Sequence, residues 1–453
     1  MKIAFVTLGC KLNFAETATY ERGFRNAGLE VVPWREKADI YLVNTCTVTE
    51  TANKKSRGEI RKLHRINPDA YIIVTGCYAQ MKPDEVRGIE GVSRVFLSSE
   101  KALVVPETLA SLQAGGSALV GTPFASLTPA PPIASDGPLP LPLSGGGQVL
   151  RGQSAGPTDI RSQVFQAYSV SERTRAFLKV QDGCDNFCRY CTVPYARGRS
   201  RSVRICEAVK AAEAIAAKGI KEAVITGVNT GDFGRDTGES FLDLLKALNA
   251  VDGIERWRIS SIEPNLSTEE IIDWIASGTK FQPHFHIPLQ QGTDEILSRM
   301  GRKYTTGFFA GRIDYIRNRL EGPGRPKVFF GIDVMAGLPG ETDELFEKEL
   351  QFLRMIRPAF IHVFPYSRRP GTPAASMPDQ VDEKVKAERV KVLEALCNEL
   401  HEQFIRDNKG IKEQVLFESR DRDGSMSGYT GNYIRISRPY DNDLVGRLTE
   451  VTI

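Results

Sequence analysis

No stretch of the 453 residues stays apolar for the about 18 positions a membrane helix needs, so no membrane span or membrane partner is expected. The start, Met-Lys-Ile-Ala-Phe-Val-Thr-Leu-Gly, turns polar too soon for a secretory leader. That points to the reducing cytoplasm and away from structural disulfides. Excess charge is missing as well. A formal net charge of +3 decides nothing about an anionic partner, so the local distribution has to be read instead. Histidine is scarce, and of the five only His284 and His286 stand close together. They read as strand-end packing or substrate contacts rather than as a metal site. A second close cysteine pair, which a four-ligand zinc site would use, is also absent.

What is present is the run Gly183-Cys-Asp-Asn-Phe-Cys-Arg-Tyr-Cys191. Cys184, Cys188 and Cys191 offer three thiols within eight residues, directly after a Val-Gln-Asp-Gly strand end. A cubane iron–sulfur cluster is held by thiolates. Three of them leave one iron open to bind a substrate or cofactor instead of only passing electrons. The C-x3-C-x2-C spacing resembles the signature of the radical S-adenosylmethionine (SAM) enzymes. That resemblance implies a [4Fe–4S] cluster whose open iron binds SAM.

The chain around this loop is α/β. Residues 1–103 alternate strands (Lys2–Leu8, Ile40–Asn44, Tyr71–Thr75, Arg94–Leu97) with helices such as Ala15–Ala27 and Thr51–Ile66. This pattern predicts an open parallel sheet. Cys10, Cys46 and Cys77 each follow the carboxyl end of one of these strands, the edge where open α/β sheets bind ligands. Their convergence predicts a second iron–sulfur cluster. Residues 104–170 are rich in Pro, Gly and Ser and read as a linker or insertion. Residues 171–378 hold six further βα units, with strands at Ala176–Gln181, Ala223–Thr226, Trp257–Ser261, His284–Pro288, Val328–Met335 and Phe360–Pro365. Six units predict a partial (β/α)6 barrel with its chemistry at the carboxyl ends of the strands. Residues 379–409 form a connecting amphipathic helix. Residues 410–453 form a small antiparallel β domain with strands at Glu413–Glu418, Gly428–Ser437 and Asp443–Ile453. Cys206 and Cys397 read as small packing residues.

Several segments share the predicted catalytic rim with the cysteine loop. Thr226, Gly227 and Asn229 follow the second barrel strand, and Ser260 and Glu263 follow the third. Gly337, Pro339 and Gly340 follow the fifth. Glycines there let backbone approach a ligand, so these residues are candidates for binding SAM. Arg197, Arg199 and Arg201, then Arg302 and Lys303, then Arg368 and Arg369, lie after strands one, four and six. Clustered arginine with nearby tyrosine suits phosphate contacts and base stacking, so RNA is a candidate partner.

Taken together the chain resembles the methylthiotransferase family of radical SAM enzymes over nearly its whole length. The motifs are Thr7-Leu-Gly-Cys10-Lys-Leu-Asn13, Asn44-Thr-Cys46-Thr, Thr75-Gly-Cys77-Tyr, the run from Gly183 to Gly198, Pro288-Leu-Gln-Gln-Gly-Thr-Asp, and Gly337-Leu-Pro-Gly-Glu-Thr342. The resemblance implies two [4Fe–4S] clusters with divided roles. The cluster on Cys184, Cys188 and Cys191 would cleave SAM, and that on Cys10, Cys46 and Cys77 would carry the sulfur to be transferred. It also implies an electron donor, a sulfur source and a TRAM-like RNA-binding domain at 410–453. Phrases such as Gly9-Cys-Lys-Leu-Asn and Arg258-Ile-Ser-Ser-Ile-Glu-Pro resemble the branch that modifies N6-threonylcarbamoyladenosine at position 37, in the tRNA anticodon stem-loop. The alternatives are isopentenyladenosine in tRNA, a ribosomal-protein aspartate, or a non-catalytic iron–sulfur protein that binds RNA or senses redox state.

Overall fold

The computed structural model describes residues 1–113, 164–170, 174–421 and 423–453. The N-terminal sheet contains β1 (Lys2–Thr7), β2 (Glu30–Val31), β3 (Ile40–Thr45), β4 (Tyr71–Gly76) and β5 (Val92–Val95). Its order is β2-β1-β3-β4-β5 and all its pairings are parallel. β3 is buried at every residue, as expected of a central parallel strand covered by helices on both faces. Helices Lys11–Asn26 and Glu50–Ile66 supply that cover. The linker expected over 104–170 starts later than its composition suggested. Val104–Gln113 is a helix that buries Val104 and Thr108 against this domain. Ala167–Tyr168, here β6, pairs antiparallel with the first barrel strand. The most Pro- and Gly-rich part of the expected linker lies outside the described residues.

The barrel strands are β7 (Arg175–Lys179), β10 (Glu222–Thr226), β11 (Arg256–Ile259), β12 (His284–His286), β13 (Phe329–Ala336) and β14 (Phe360–Pro365). A short ribbon of β8 (Gln181–Asp182) and β9 (Arg201–Ser202) brackets the cysteine loop. The six strands run parallel in chain order, with β11 and β12 joined by single bridges at Trp257–Phe281 and Ser261–His286. Side chains alternate between helix layer and lumen. On β13, Phe330, Ile332 and Val334 are buried in the outer core, while Asp333 stays partly accessible in the lumen. Helix Glu383–Asp407 adds Leu393, Leu396, Cys397 and Leu400 to the barrel core. Each of these leucines, fully buried, contributes about 1.5–3 kcal/mol.

The C-terminal domain is antiparallel in the order β17-β16-β15-β18, with β15 (Lys412–Arg420), β16 (Ser425–Tyr429), β17 (Arg435–Pro439) and β18 (Leu448–Thr452). The single strand expected over Gly428–Ser437 is therefore a hairpin. Its turn is held by the Ile434 N–H donating to Thr430 Oγ1 (2.8 Å) and by Tyr433 at φ +68°. This turn docks on the amino-terminal end of the barrel. Arg258 grips Glu222 (Nε–Oε1 2.8 Å) and donates to the carbonyls of Thr430 (2.8 Å) and Gly431 (2.7 Å). Tyr433 packs on His284, which itself stacks on Phe329, so His284 is the strand-end packing residue expected. Cys397 is buried and accepts the Ile361 N–H (3.2 Å), whereas Cys206 is exposed on its helix rather than packed.

Candidate functional site

The first cysteine group sits where parallel register aligns the strand ends. Thr7 pairs with Asn44, Asn44 with Thr75, and Thr45 with Gly76, so residues 46 and 77 leave neighbouring strands at one level. Cys10 caps helix Lys11–Asn26, and Cys77 opens helix Cys77–Met81. Gly9 at φ +104° brings the first strand end against the second: a Cβ there would lie 3.1 Å from Cys46 Sγ. Asn13 Nδ2 ties the group together by donating to Leu8 O (2.7 Å) and Thr45 O (3.1 Å). Burial pushes the Cys46 and Cys77 thiols up, and each also feels the charge of Cys10.

The second group follows β8. Gly183, at φ +77°, admits no other residue, because a Cβ would meet Arg199 O at 1.9 Å. Beyond it the Asn186 N–H points at Cys184 Sγ and the Val193 N–H at Cys191 Sγ, both at 3.4 Å. Arg302 reaches Cys188 Sγ through Nη1 (3.1 Å) and Glu263 Oε2 through Nη2 (2.6 Å). Burial pushes Cys184 up to about 11 and Cys191 up to about 12. These thiols hold their protons until something replaces them. Amide and guanidinium donors aimed at the sulfurs favour the thiolate, the form that binds iron. This donor set fits an iron–sulfur cluster.

A buried charge network links the segments that carry the two groups. Glu16, fully buried, accepts from Lys179 Nζ (2.7 Å), Lys101 Nζ (2.8 Å) and Arg197 Nη1 (3.3 Å). Burial alone would raise its carboxyl; the three cations overcome that and hold it below its ordinary value. Asp182 accepts from Arg197 Nη1 (2.9 Å) and lies 2.6 Å from Lys179 Nζ. Arg197 Nη2 donates to Asn13 Oδ1 (2.5 Å) and lies 4.0 Å from Cys10 Sγ. Arg197 ends the short helix Val193–Arg197 that follows Cys191, so one guanidinium reaches from the segment of one triad to Cys10 of the other. A second link is Arg369, which donates to Thr47 Oγ1 (2.7 Å) beside Cys46 and lies 3.5 Å from Glu50.

These positions correct part of the sequence reading. The side chains of Arg197, Arg302 and Arg369 are buried and engaged with protein groups, which withdraws them from RNA contact. Arg201 is half-buried and donates to Arg197 O (3.0 Å), bracing the loop. Arg199, Lys303 and Arg368 remain exposed at the rim. Sequence could not tell the two kinds apart, because an arginine that neutralises a buried carboxylate and one that awaits a phosphate sit in the same kind of run.

The candidate SAM residues are brought to the same rim. Thr226 and Ser260 end the lumen-facing columns of β10 and β11, and both are buried with hydroxyls that have no hydrogen-bond partner among the described residues. Unpaired buried hydroxyls fit a polar ligand that completes them. Gly227 packs where a Cβ would meet Gln181 Oε1 at 2.8 Å. Asn229 Nδ2 donates to Asp232 (2.9 Å), and its Oδ1 accepts the Glu263 N–H (3.3 Å). The Gly337–Gly340 turn, with Pro339 buried inside it, is braced from below. Glu341 accepts the Gly337 N–H (3.0 Å) and is itself gripped by Arg389 (2.7 Å). Sequence reading missed the aromatic edges of the mouth. Phe187 and Tyr195, in T-shaped contact at 6.2 Å, and Phe364 at the end of β14 are all exposed. Large apolar side chains at strand ends and metal loops were the available signal.

Comparison with known proteins agrees with this geometry. Residues 178–353 match the radical SAM superfamily, and residues 2–98 match the uncharacterized protein family UPF0004. Among solved structures, the fold is similar to a radical S-adenosylmethionine methyltransferase, TsrM, from Kitasatospora setae. That likeness has a TM-score of 0.55 and 16% identity, covering 83% of this chain and 75% of the other. Fold and site thus define a radical SAM enzyme, a class that uses SAM and a [4Fe–4S] cluster. Among curated proteins, the chain is 37% identical to the threonylcarbamoyladenosine tRNA methylthiotransferase MtaB of Bacillus subtilis, over 100% of this chain and 93% of that one. It is 34% identical to the MtaB of Aquifex aeolicus over the full length of both. It is also 31% identical to a tRNA-2-methylthio-N(6)-dimethylallyladenosine synthase of Carboxydothermus hydrogenoformans, over 99% and 95%. The chain belongs to the radical SAM tRNA methylthiotransferases, and it is MtaB-like.

Proposed function

We propose that this enzyme adds a methylthio group to C2 of N6-threonylcarbamoyladenosine at position 37 of tRNA. Two [4Fe–4S] clusters serve it, one on Cys184, Cys188 and Cys191 and one on Cys10, Cys46 and Cys77. The observation that carries this reading is the link that Arg197 makes between the two cysteine-bearing segments. A single-cluster enzyme would have no use for three further cysteines aligned by strand register. When bound, the clusters and SAM supply a hydrogen-abstracting radical and the sulfur to be transferred.

The chain's own residues position and shield. Thr226 and Ser260 present hydroxyls to SAM. Arg302 holds Cys188 and Glu263 in one arrangement. Phe187, Tyr195 and Phe364 offer faces on which an unstacked adenine can lie, and Arg199, Lys303 and Arg368 meet the phosphates of the anticodon stem-loop. Residues 410–453 form a TRAM-like RNA-binding domain, whose strand β17 exposes Arg435 and Arg438. The reaction takes electrons from an external donor and sulfur from an external source, in the cytoplasm. Residues 1–103, 171–378 and 410–453 divide the work, joined by the segments between them.

The test is mass spectrometry of tRNA nucleosides from a host that makes threonylcarbamoyladenosine, lacks its methylthio form and expresses this chain. Appearance of 2-methylthio-N6-threonylcarbamoyladenosine supports the reading. Its absence with soluble, cluster-loaded enzyme moves the substrate to dimethylallyladenosine. In the same system Cys184→Ala abolishes SAM cleavage, whereas Cys46→Ala stops methylthiolation and spares uncoupled cleavage. A folded Cys46→Ala protein that cleaves no SAM refutes the division of roles.

A further inference from the structure

Three polar side chains converge in the barrel lumen with no part in the scheme above. His286 Nε2 on β12 lies 2.9 Å from Asp333 Oδ1 on β13. His362 on β14 stands edge-on to His286, with ring centroids 5.3 Å apart. The ligating atoms of all three lie within 4.8 Å of one another. Register brings them together, since His286 pairs with Gly331 and Asp333 with His362. Gly331 keeps the space between the histidines open: a Cβ there would stand 3.7 Å from His286 Cδ2 and 3.8 Å from His362 Nε2.

Beside Cys10 stands Lys11, which is exposed. Its electrostatic neighbours are Arg175, Arg258 and Asp333 on three barrel strands, together with Cys10. Its charge also acts on His362. Lys11 has no ion pair or hydrogen bond among the described residues, and neither do the ring nitrogens of His362. The contrast with the buried cations is sharp, because Lys101, Lys179, Arg197, Arg258 and Arg302 all hold carboxylates. Lys11 and His362 are both solvent-exposed, so an ammonium and an imidazole beside an aspartate anchored by the other imidazole stand open to a ligand.

The geometry points to a subsite for a short anionic, hydroxylated arm on the target base, its carboxylate on Lys11 and His362 and its hydroxyl on Asp333. This rests on the substrate reading above. A threonylcarbamoyl arm carries both groups, and a dimethylallyl arm carries neither and would leave the donors unpaired. A pocket built to hydrogen-bond one substituent rejects the analogue that lacks it. Two imidazoles and a carboxylate could also hold a divalent cation. The Lys11 ammonium opposes that.

The test uses the full-length, cluster-loaded enzyme and anticodon stem-loops that bear threonylcarbamoyladenosine or its carboxamide, which removes only the negative charge. RNA binding without SAM is measured beside KM and kcat. The wild type is expected to prefer the acid by about tenfold or more in binding and KM, as befits a charge-assisted hydrogen bond. Lys11→Gln and His362→Gln are each expected to shrink the preference to within about twofold. His362 adjoins no cysteine, so His362→Gln keeps its iron content and visible spectrum and decides the matter if Lys11→Gln disturbs the neighbouring triad. Equal treatment of acid and amide by the wild type, or an undiminished preference in His362→Gln, overturns the inference. So does a bound divalent ion, beyond the cluster iron, that His362→Gln loses. If the wild type prefers the acid in binding but never methylthiolates it, the substrate reading fails and the subsite stands.

Discussion

Replacing Glu16 by Gln tests whether the buried network holds the two cysteine-bearing domains together. The change keeps the shape and removes one charge. Three cations, Lys101, Lys179 and Arg197, then share Asp182 as their one carboxylate among the described residues, all of them nearly inaccessible to water. Removing one partner from a buried ionic group costs about 3–5 kcal/mol, because the remaining charges lose their compensation. In a chain this large, that is a fall in Tm of about 3–5 °C. The pH dependence carries a second signature. The Glu16 carboxyl is depressed in the folded state, so its stabilisation is complete above the unfolded value of about 4.3 and is lost as pH falls below it. The gap between wild type and Glu16→Gln therefore narrows by about 1.4 kcal/mol per pH unit below that point. Anaerobic denaturant unfolding across pH 3–7 measures both quantities. A variant within about 1 kcal/mol of wild type at pH 7, or a gap that does not change with pH, refutes the reasoning.

Three further outcomes follow from the same geometry. Thr226→Val with Ser260→Ala removes hydroxyls that have no partner, so thermal stability holds or rises slightly while KM for SAM increases by roughly tenfold, read from 5′-deoxyadenosine release. Arg302→Met strips a cation from Cys188 and leaves Glu263 uncompensated. Both changes disfavour an added electron, and an EPR-monitored titration should find the midpoint potential lower, on the order of tens of millivolts. Arg258→Met cuts the C-terminal domain's hold at Thr430 and Gly431 and leaves Glu222 with more distant arginines. It should destabilise by roughly 3–5 kcal/mol and expose residues 408–411 to limited proteolysis.

Some of this was readable along the chain. Each barrel strand lies within a few residues of where its β-branched and aromatic run predicts, because a buried parallel strand needs a short apolar segment and little else. Both cysteine groups were legible for the same reason. One is a local spacing, and the other follows from three strand ends in one parallel sheet. The ten-residue helix at Val104–Gln113 was not read, since composition beyond it dominated the window. The hairpin at Thr430–Ile434 was hidden because its turn has a tyrosine, not a glycine, in the left-handed conformation at position 433.

Sequence by itself determined the cysteine-bearing loops, the six-strand repeat and the family, since each depends on neighbours or on short periods. Only the tertiary structure decided what the charges do. Arg197 and Glu16 stand 181 residues apart and Arg369 and Thr47 stand 322 apart, so nothing local marks them as partners. A guanidinium costs several kcal/mol to bury unless a carboxylate meets it, and that meeting is made by the docking of one domain on another.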